Sequence, residues 1–230
     1  MFWKKITSIL NQSKTLQSSN TATPKRTRPT FAPERIGELG EHKIEVQLRQ
    51  FSNGNRYFND LLIVNPRSKT GYAQIDHVLI TTYAIFVIET KNYKGFIRGK
   101  REDSSWRVNS KYNMYNPLRQ NRTHINVLKR LLKECGDLRF ISVVSFTKRC
   151  ELHIDPDLRT VDTDEFVVYD ILLTEFIERK LIRLRHEYSS PLLSDSDISS
   201  IFQVFCEKNI TDPTVRKEHD KKASELKRAH

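Results

Sequence analysis

The segment QIDHVLITTYAIFVIETKN, residues 74–92, holds two apolar runs, Val78–Ile80 and Ile85–Ile88, around a short polar centre. Runs of this length, rich in β-branched and aromatic residues and split by a turn, predict an antiparallel hairpin. Folding about the Thr82–Tyr83 midpoint pairs residues whose numbers sum to 165, and Asp76 and Glu89 meet that condition. Directly opposed residues project from one face with Cβ atoms ~4.5–5.5 Å apart. Lys91, two residues beyond Glu89, shares that face. Thr-Tyr suits a two-residue turn poorly, so a four-residue loop of the same symmetry is equally compatible.

Two carboxylates and an ammonium are thereby gathered at one end of otherwise apolar strands. Like charges opposed across a ladder repel, and burial drives one carboxyl towards its neutral form. A divalent cation between the acids removes both costs. Ligands made only of hard oxygens suit Mg²⁺ or Mn²⁺, and such an ion can activate water against a phosphodiester. Lys91 would then orient the water or offset developing charge. The same spacing also allows a plain ion bridge between Lys91 and the acids. The residues alone leave both readings open.

Outward from the hairpin, Ile36, Leu39, Ile44, Val46, Leu48 and Phe51 alternate with Glu and Lys, which predicts a helix over about 35–51. YFNDLLIVNP, residues 57–66, predicts a strand stopped by Asn65-Pro66. Trp106 falls in a further short strand or turn near 96–108. Pro117 opens a helix to about Lys133, with Leu118, Ile125, Leu128, Leu131 and Leu132 as its apolar stripe. FISVVSF, residues 140–146, is apolar enough for a strand covered on both faces. Helices are expected over 164–183 and, from the Ser194–Asp197 cap signals, over 195–209. The order predicts an α/β fold with one central mixed sheet flanked by helices.

Expected divisions are a flexible basic segment and linker over 1–33, a core over 34–150, a helical extension packed on it over 151–213, and a basic tail over 214–230. The linker 11–33 is rich in Ser, Thr, Asn and Pro. Within 1–10, Phe2, Trp3, Ile6, Ile9 and Leu10 share a helical face beside Lys4 and Lys5, a pattern compatible with a frayed terminus or with contact of residues 2–10 with a membrane surface.

The formal net charge is +11 over 230 residues. Residues 1–35 carry seven Lys/Arg against one acid, and residues 214–230 six against three, which leaves the middle nearly neutral. Basic ends attract nucleic acid or anionic lipid. No apolar run reaches the ~18 residues of a membrane span, and Met1–Leu10 lacks the core and cleavage pattern of a signal peptide. Three widely spaced cysteines, Cys135, Cys150 and Cys206, suggest reduced packing residues in a cytoplasmic protein.

Beyond these patterns, the chain resembles the nuclease-related domain (NERD) family of the PD-(D/E)xK nuclease superfamily. The matching pieces, in order, are Gly37-Glu38-Leu39-Gly40-Glu41, Gln74-Ile75-Asp76-His77, Phe86-Val87-Ile88-Glu89-Thr90-Lys91-Asn92 with Gly95 after it, Trp106, and Asn116-Pro117-Leu118-Arg119-Gln120-Asn121. The resemblance implies a restriction-endonuclease-like core and catalytic residues Glu41, Asp76, Glu89, Lys91 and Gln120. Asp76 and Glu89 would hold Mg²⁺ or Mn²⁺, Glu41 would ligate the metal or its water shell with Glu38 as its substitute, and Gln120 would touch the site or the scissile phosphate. His77 points away from Asp76 and is read as structural, and Trp106 and Tyr93 as packing. The function this implies is low-specificity hydrolysis of DNA, with RNA not separated from DNA and no small-molecule cofactor. The alternative is a catalytically silent nuclease-fold module that binds nucleic acid or a protein, tethered or not to a membrane surface.

Overall fold

Strand β7 (Phe140–Phe146) is buried at all seven positions, because strands flank both its edges and helices cover both its faces. It lies in a five-stranded mixed sheet of order β1-β2-β3-β7-β9. The other members are β1 (Arg56–Val64), β2 (Tyr72–Ile80), β3 (Ile85–Lys91) and β9 (Glu165–Tyr169). β1, β2 and β3 run antiparallel, while β3, β7 and β9 are parallel. The structure is a computed structural model and describes residues 33–51 and 53–228, within a unit that runs from Ala32 to the C-terminus. Apart from Pro33, the expected linker and the amphipathic 2–10 segment lie outside the described residues.

One face of this sheet packs against α2 (Pro117–Leu131) and α4 (Asp195–Lys208), where Val78, Ile80 and Val87 meet Ile125, Leu128, Ile198 and Phe205. The other face packs against α1 (Pro33–Leu48) and α3 (Leu173–Glu187), where Phe86, Ile88 and Val143 meet Ile44, Leu48, Ile177 and Leu184. Full burial of each such side chain contributes on the order of 1.5–3 kcal/mol. Local chemistry sets the helix starts. Asn116 caps α2 by accepting the Leu118 N–H, with Pro117 at the first helical position. Ser194 and Asp197 form a reciprocal capping box on α4.

The sheet is not alone, as the single central sheet of the sequence reading would have it. β4 (Gly95–Gly99), β5 (Ser105–Val108), β6 (Tyr112–Tyr115) and β8 (Cys150–Ile154) form a second mixed sheet of order β6-β5-β4-β8. β3 and β7, paired in parallel, each continue after a three-residue break into β4 and β8, which pair in the same sense. Thr147 N–H to Lys91 C=O and Gly95 N–H to Arg149 C=O stitch the two breaks together. Gly95 has φ +91° and leaves 2.0 Å between a would-be Cβ and Asn109 Oδ1, so no side chain fits there. Trp106 is fully buried, stacks on Phe146 and donates to the Lys100 carbonyl.

Other expectations are corrected. The helix expected from 164 begins only at Leu173, because Glu165–Tyr169 forms β9. That strand satisfies the open edge of β7 and alternates Phe166 and Val168 into one core with Val167 and Tyr169 into another. Residues 151–213 are therefore not simply a helical extension, since they supply most of β8 and all of β9. The basic stretch from 214 is helical, α5 (Pro213–Arg228), with Asp212 accepting the Thr214 N–H and Arg216 bonding Asp60 and the Ile210 carbonyl. Of the cysteines only Cys150 is buried; Cys135 and Cys206 are exposed, and none is paired. Among the described residues no helix is long and apolar enough to cross a membrane.

Asn121 locks α2 to the sheet: its buried amide donates to the Val87 carbonyl, Ser142 Oγ and the Val143 carbonyl. Asn121→Ala leaves these acceptors unmet, at about 1–3 kcal/mol. Urea unfolding should show a lower midpoint with an unchanged slope.

Candidate active site

The β2–β3 hairpin has the expected register. His77 pairs with Ile88, Val78 with Val87, Leu79 with Phe86 and Ile80 with Ile85. Thr81–Ala84 forms the four-residue loop, closed by the Thr81 N–H on the Ala84 carbonyl. One step further the ladder stops. Asp76 and Glu89, next in the register, are not paired in the ladder; Asp76 Oδ2 instead accepts the Thr90 N–H at 2.7 Å. On the other side of β2 the β1 ladder skips the same level, where Asp60 has φ +53°. Ile75 and Val78 consequently face one core, which strict alternation would forbid.

Past this break the strands part and a cleft of about 1880 Å³ opens. Glu89 is only 2% exposed at its floor. Its Oε1 accepts from Lys91 Nζ at 2.5 Å and from Gln120 Nε2 at 2.7 Å, and Lys91 also donates to Gln120 Oε1 at 3.1 Å. Glu89, Lys91 and Gln120 thus form a closed triangle across β3 and α2. Among the described residues Glu89 Oε2 has no hydrogen-bond partner and lies 3.5 Å from His124 Nδ1, itself unpartnered there. Burial lowers the His124 imidazole, against the pull of Glu89 and with the push of Lys91. His124, one helical turn after Gln120, is the cleft residue that the sequence reading missed; its i+4 spacing on α2 was the available signal.

Electrostatics follow from burial and from the crowding of acids. Burial raises the Asp76 carboxyl well above its ordinary range, and the charges of Glu89 and Glu41 raise it further, against Lys91 and the Thr90 amide. Burial pulls the Lys91 ammonium down, but Glu89 and Asp76 outweigh it and hold the group above its usual value. Glu41, on α1, is raised first by burial and then by Asp60, Glu89 and Glu38, with Lys91 opposing. Glu41 lines the cleft, and Glu38 is exposed at its rim. α1 reaches the site because residue 40 is glycine: an added Cβ would lie 3.2 Å from Asn92 Cβ and 3.4 Å from Thr90 Cγ2. His77 is buried and bonded through Nδ1 to Asn59 Oδ1 at 2.8 Å, and burial pushes its imidazole down to about 4. Tyr93 lines the cleft.

The structure thus brings Asp76, Glu89, Lys91 and Gln120 together and sets Glu41 in the same cleft. Among the described residues no group of three or more His, Cys, Asp or Glu is arranged to hold a metal ion. The donors nevertheless suit a hard cation: two carboxylates near enough for the charge of one to raise the other, one buried carboxylate oxygen without a partner among the described residues, and no sulfur in the lining. Basic side chains at Arg67, Lys69, Lys94, Arg130 and Arg149 also line the opening.

The nuclease-related domain family matches residues 36–147. An uncharacterized protein of Bacillus anthracis is 27% identical to this chain over 195 residues, which cover 82% of this chain and 84% of that protein. No solved structure matches the chain.

A carboxyl raised on folding binds its proton more tightly in the native state. Without a divalent ion, stability should therefore fall as pH rises from the ordinary carboxylate range through the raised value of Asp76. Asp76→Asn should flatten that part of the curve and raise neutral-pH stability by roughly 0.2–1 kcal/mol. Urea midpoints across the pH range, in EDTA, make the comparison.

Proposed function

We propose, from the premise that residues 36–147 are a nuclease-related domain, that the cleft hydrolyses phosphodiester bonds in DNA with Mg²⁺ or Mn²⁺. The observation that carries the reading is the meeting of Asp76, Glu89 and Lys91 in an open cleft where a buried oxygen of Glu89 has no partner among the described residues. Asp76 and Glu89 would hold the ion, with Glu41 acting through its water shell. The ion would supply positive charge against the scissile phosphate and make water more acidic.

The chain's own groups have distinct tasks. Lys91, kept charged by Glu89 and Asp76, presents an ammonium that opposes negative charge building on the phosphoryl oxygens. Gln120 fixes both Glu89 and Lys91 and so holds that geometry. The Thr90 amide fixes one oxygen of Asp76 and leaves the other for the ion. Basic residues on the opening attract the DNA backbone without reading bases, so affinity depends on salt and little on sequence.

A second reading has its own support. Lys91 and Gln120 already satisfy Glu89 Oε1 without any ion, as a module that binds nucleic acid without cutting it would require. The two readings part on metal dependence. For a hydrolase, Asp76→Asn should weaken Mn²⁺ binding in calorimetry and abolish cleavage of linear, circular and branched DNA, while DNA binding holds or improves. Lys91→Ala should still bind metal yet lose turnover by about 10²-fold or more. Wild-type protein that binds no divalent ion, alone or with DNA, overturns the hydrolase and leaves the binding module. An RNA substrate in the same assay separates the two nucleic acids.

A further inference from the structure

The β6-β5-β4-β8 sheet buries only one face. Ile97, Trp106, Val108, Met114 and Cys150 point into the core. The alternate positions Phe96, Arg98, Arg107, Tyr115 and His153 are exposed, so the second face lies open among the described residues. Its composition is not that of an ordinary solvated face. Phe96, tilted against His153 with ring centroids 5.7 Å apart, is still 57% exposed, and Tyr115 is 59% exposed. Between them Arg98 and Arg107 are direct cross-strand partners on β4 and β5. Like charges so opposed are unfavourable, and neither guanidinium has an acid partner among the described residues. The one acid of this face, Glu151, pairs with His153 at 3.0 Å.

The register sets these four side chains on a diagonal. Arg98 lies two residues from Phe96 on β4 and faces Arg107 on β5, while Tyr115 on β6 faces Ser105, two residues from Arg107. The aromatics therefore bracket the arginines on one line. Tyr115, with Gly95 and Asn109 at the strand ends, also lines the cleft, so the face continues from the candidate active site.

We infer that this open face binds single-stranded DNA, with bases stacked on Phe96 and Tyr115 and phosphates held by Arg98 and Arg107. Aromatic rings stack on any base once it is free of a duplex, and a guanidinium pairs with phosphate; the combination on an open sheet favours single strands over duplex. The inference rests on the nucleic-acid part of the proposed function and gives it a substrate class: DNA with a single-stranded end, gap or branch, held by that segment while the adjoining backbone enters the cleft.

The test uses the full chain in EDTA, so that nothing is cut, with fluorescent oligothymidylate and a blunt duplex of equal length as probes. Phe96→Ala and Tyr115→Ala should each weaken oligothymidylate binding by roughly 5- to 150-fold and change duplex binding by less than about twofold. Phe96→Tyr should bind as the wild type does. R98Q/R107Q should make the slope of log affinity against log salt shallower by about 1.4 on the single strand, measured from about 50 to 200 mM. It should not destabilise the fold, since it removes a repulsion, and so it serves even if an alanine variant unfolds. Wild-type oligothymidylate affinity in folded alanine variants, equal losses on both probes, or an unchanged salt slope would each overturn the inference. Metal calorimetry and the Asp76→Asn variant separate the two proposals. Binding that depends on Phe96 in a protein that takes up no metal sinks hydrolysis alone, while cleavage indifferent to Phe96 and Tyr115 sinks only the stacking face.

Discussion

The Thr90 amide is the point on which the cleft depends. β3 is paired with β7 along its whole length, but β2 accompanies it only as far as His77 and Ile88. Beyond that level a backbone donor would be left facing the parted edge, and an unmet buried donor is costly. The Asp76 carboxylate takes it. The strands can therefore separate without leaving the Thr90 donor unmet, and the group that permits the separation is itself an acid of the candidate site. Asp60, at the matching level of β1, adopts a left-handed backbone and breaks the ladder on the other side. The cleft is thus a designed interruption of an otherwise regular sheet.

This arrangement stores electrostatic cost. Glu41, Asp76 and Glu89 act on one another in the cleft, with Asp60 adding to the load on Glu41, and Lys91 is the cation that offsets the three. A fold selected only for stability would replace such a cluster by apolar residues, because a buried ion group seldom repays its desolvation. Glu89 Oε2 and His124 Nδ1 both lack hydrogen-bond partners within the described chain. Unmet polar atoms and raised proton affinities at one spot mark a place where the structure expects something besides itself.

Several residues of the family resemblance turn out to be mechanical. Asn116 gathers the carbonyls of Arg101 and Asp103 and caps α2. Asn121 holds the helix on β3 and β7. Gln120, between them, has little freedom left, which is why it can bridge Glu89 and Lys91. Gly40 lets α1 approach β3 closely enough for Glu41 to enter the cleft, and Gly95 permits the chain to turn into the second sheet. Positioning and chemistry are interleaved along residues 40–121.

The hairpin register was legible in the sequence because apolar side chains alternate with a period of two, and a one-residue slip would have put every one of them on the wrong face. That register puts Asp76, Glu89 and Lys91 together at one end of the hairpin. Gln120 and Glu41 were legible only through resemblance, since no local rule links a helix at 117 to a strand at 89. What tertiary structure alone decided was non-local. Glu165–Tyr169 reads as the start of a helix in the sequence, yet it is a strand because β7 offers an open edge. The second sheet arose because β3 and β7, already paired, bend and continue together. His124 entered the site because α2 packs across β3. Each of these depends on a partner far away in the chain, and sequence patterns record the preferences of a segment, not the surfaces left for it to satisfy.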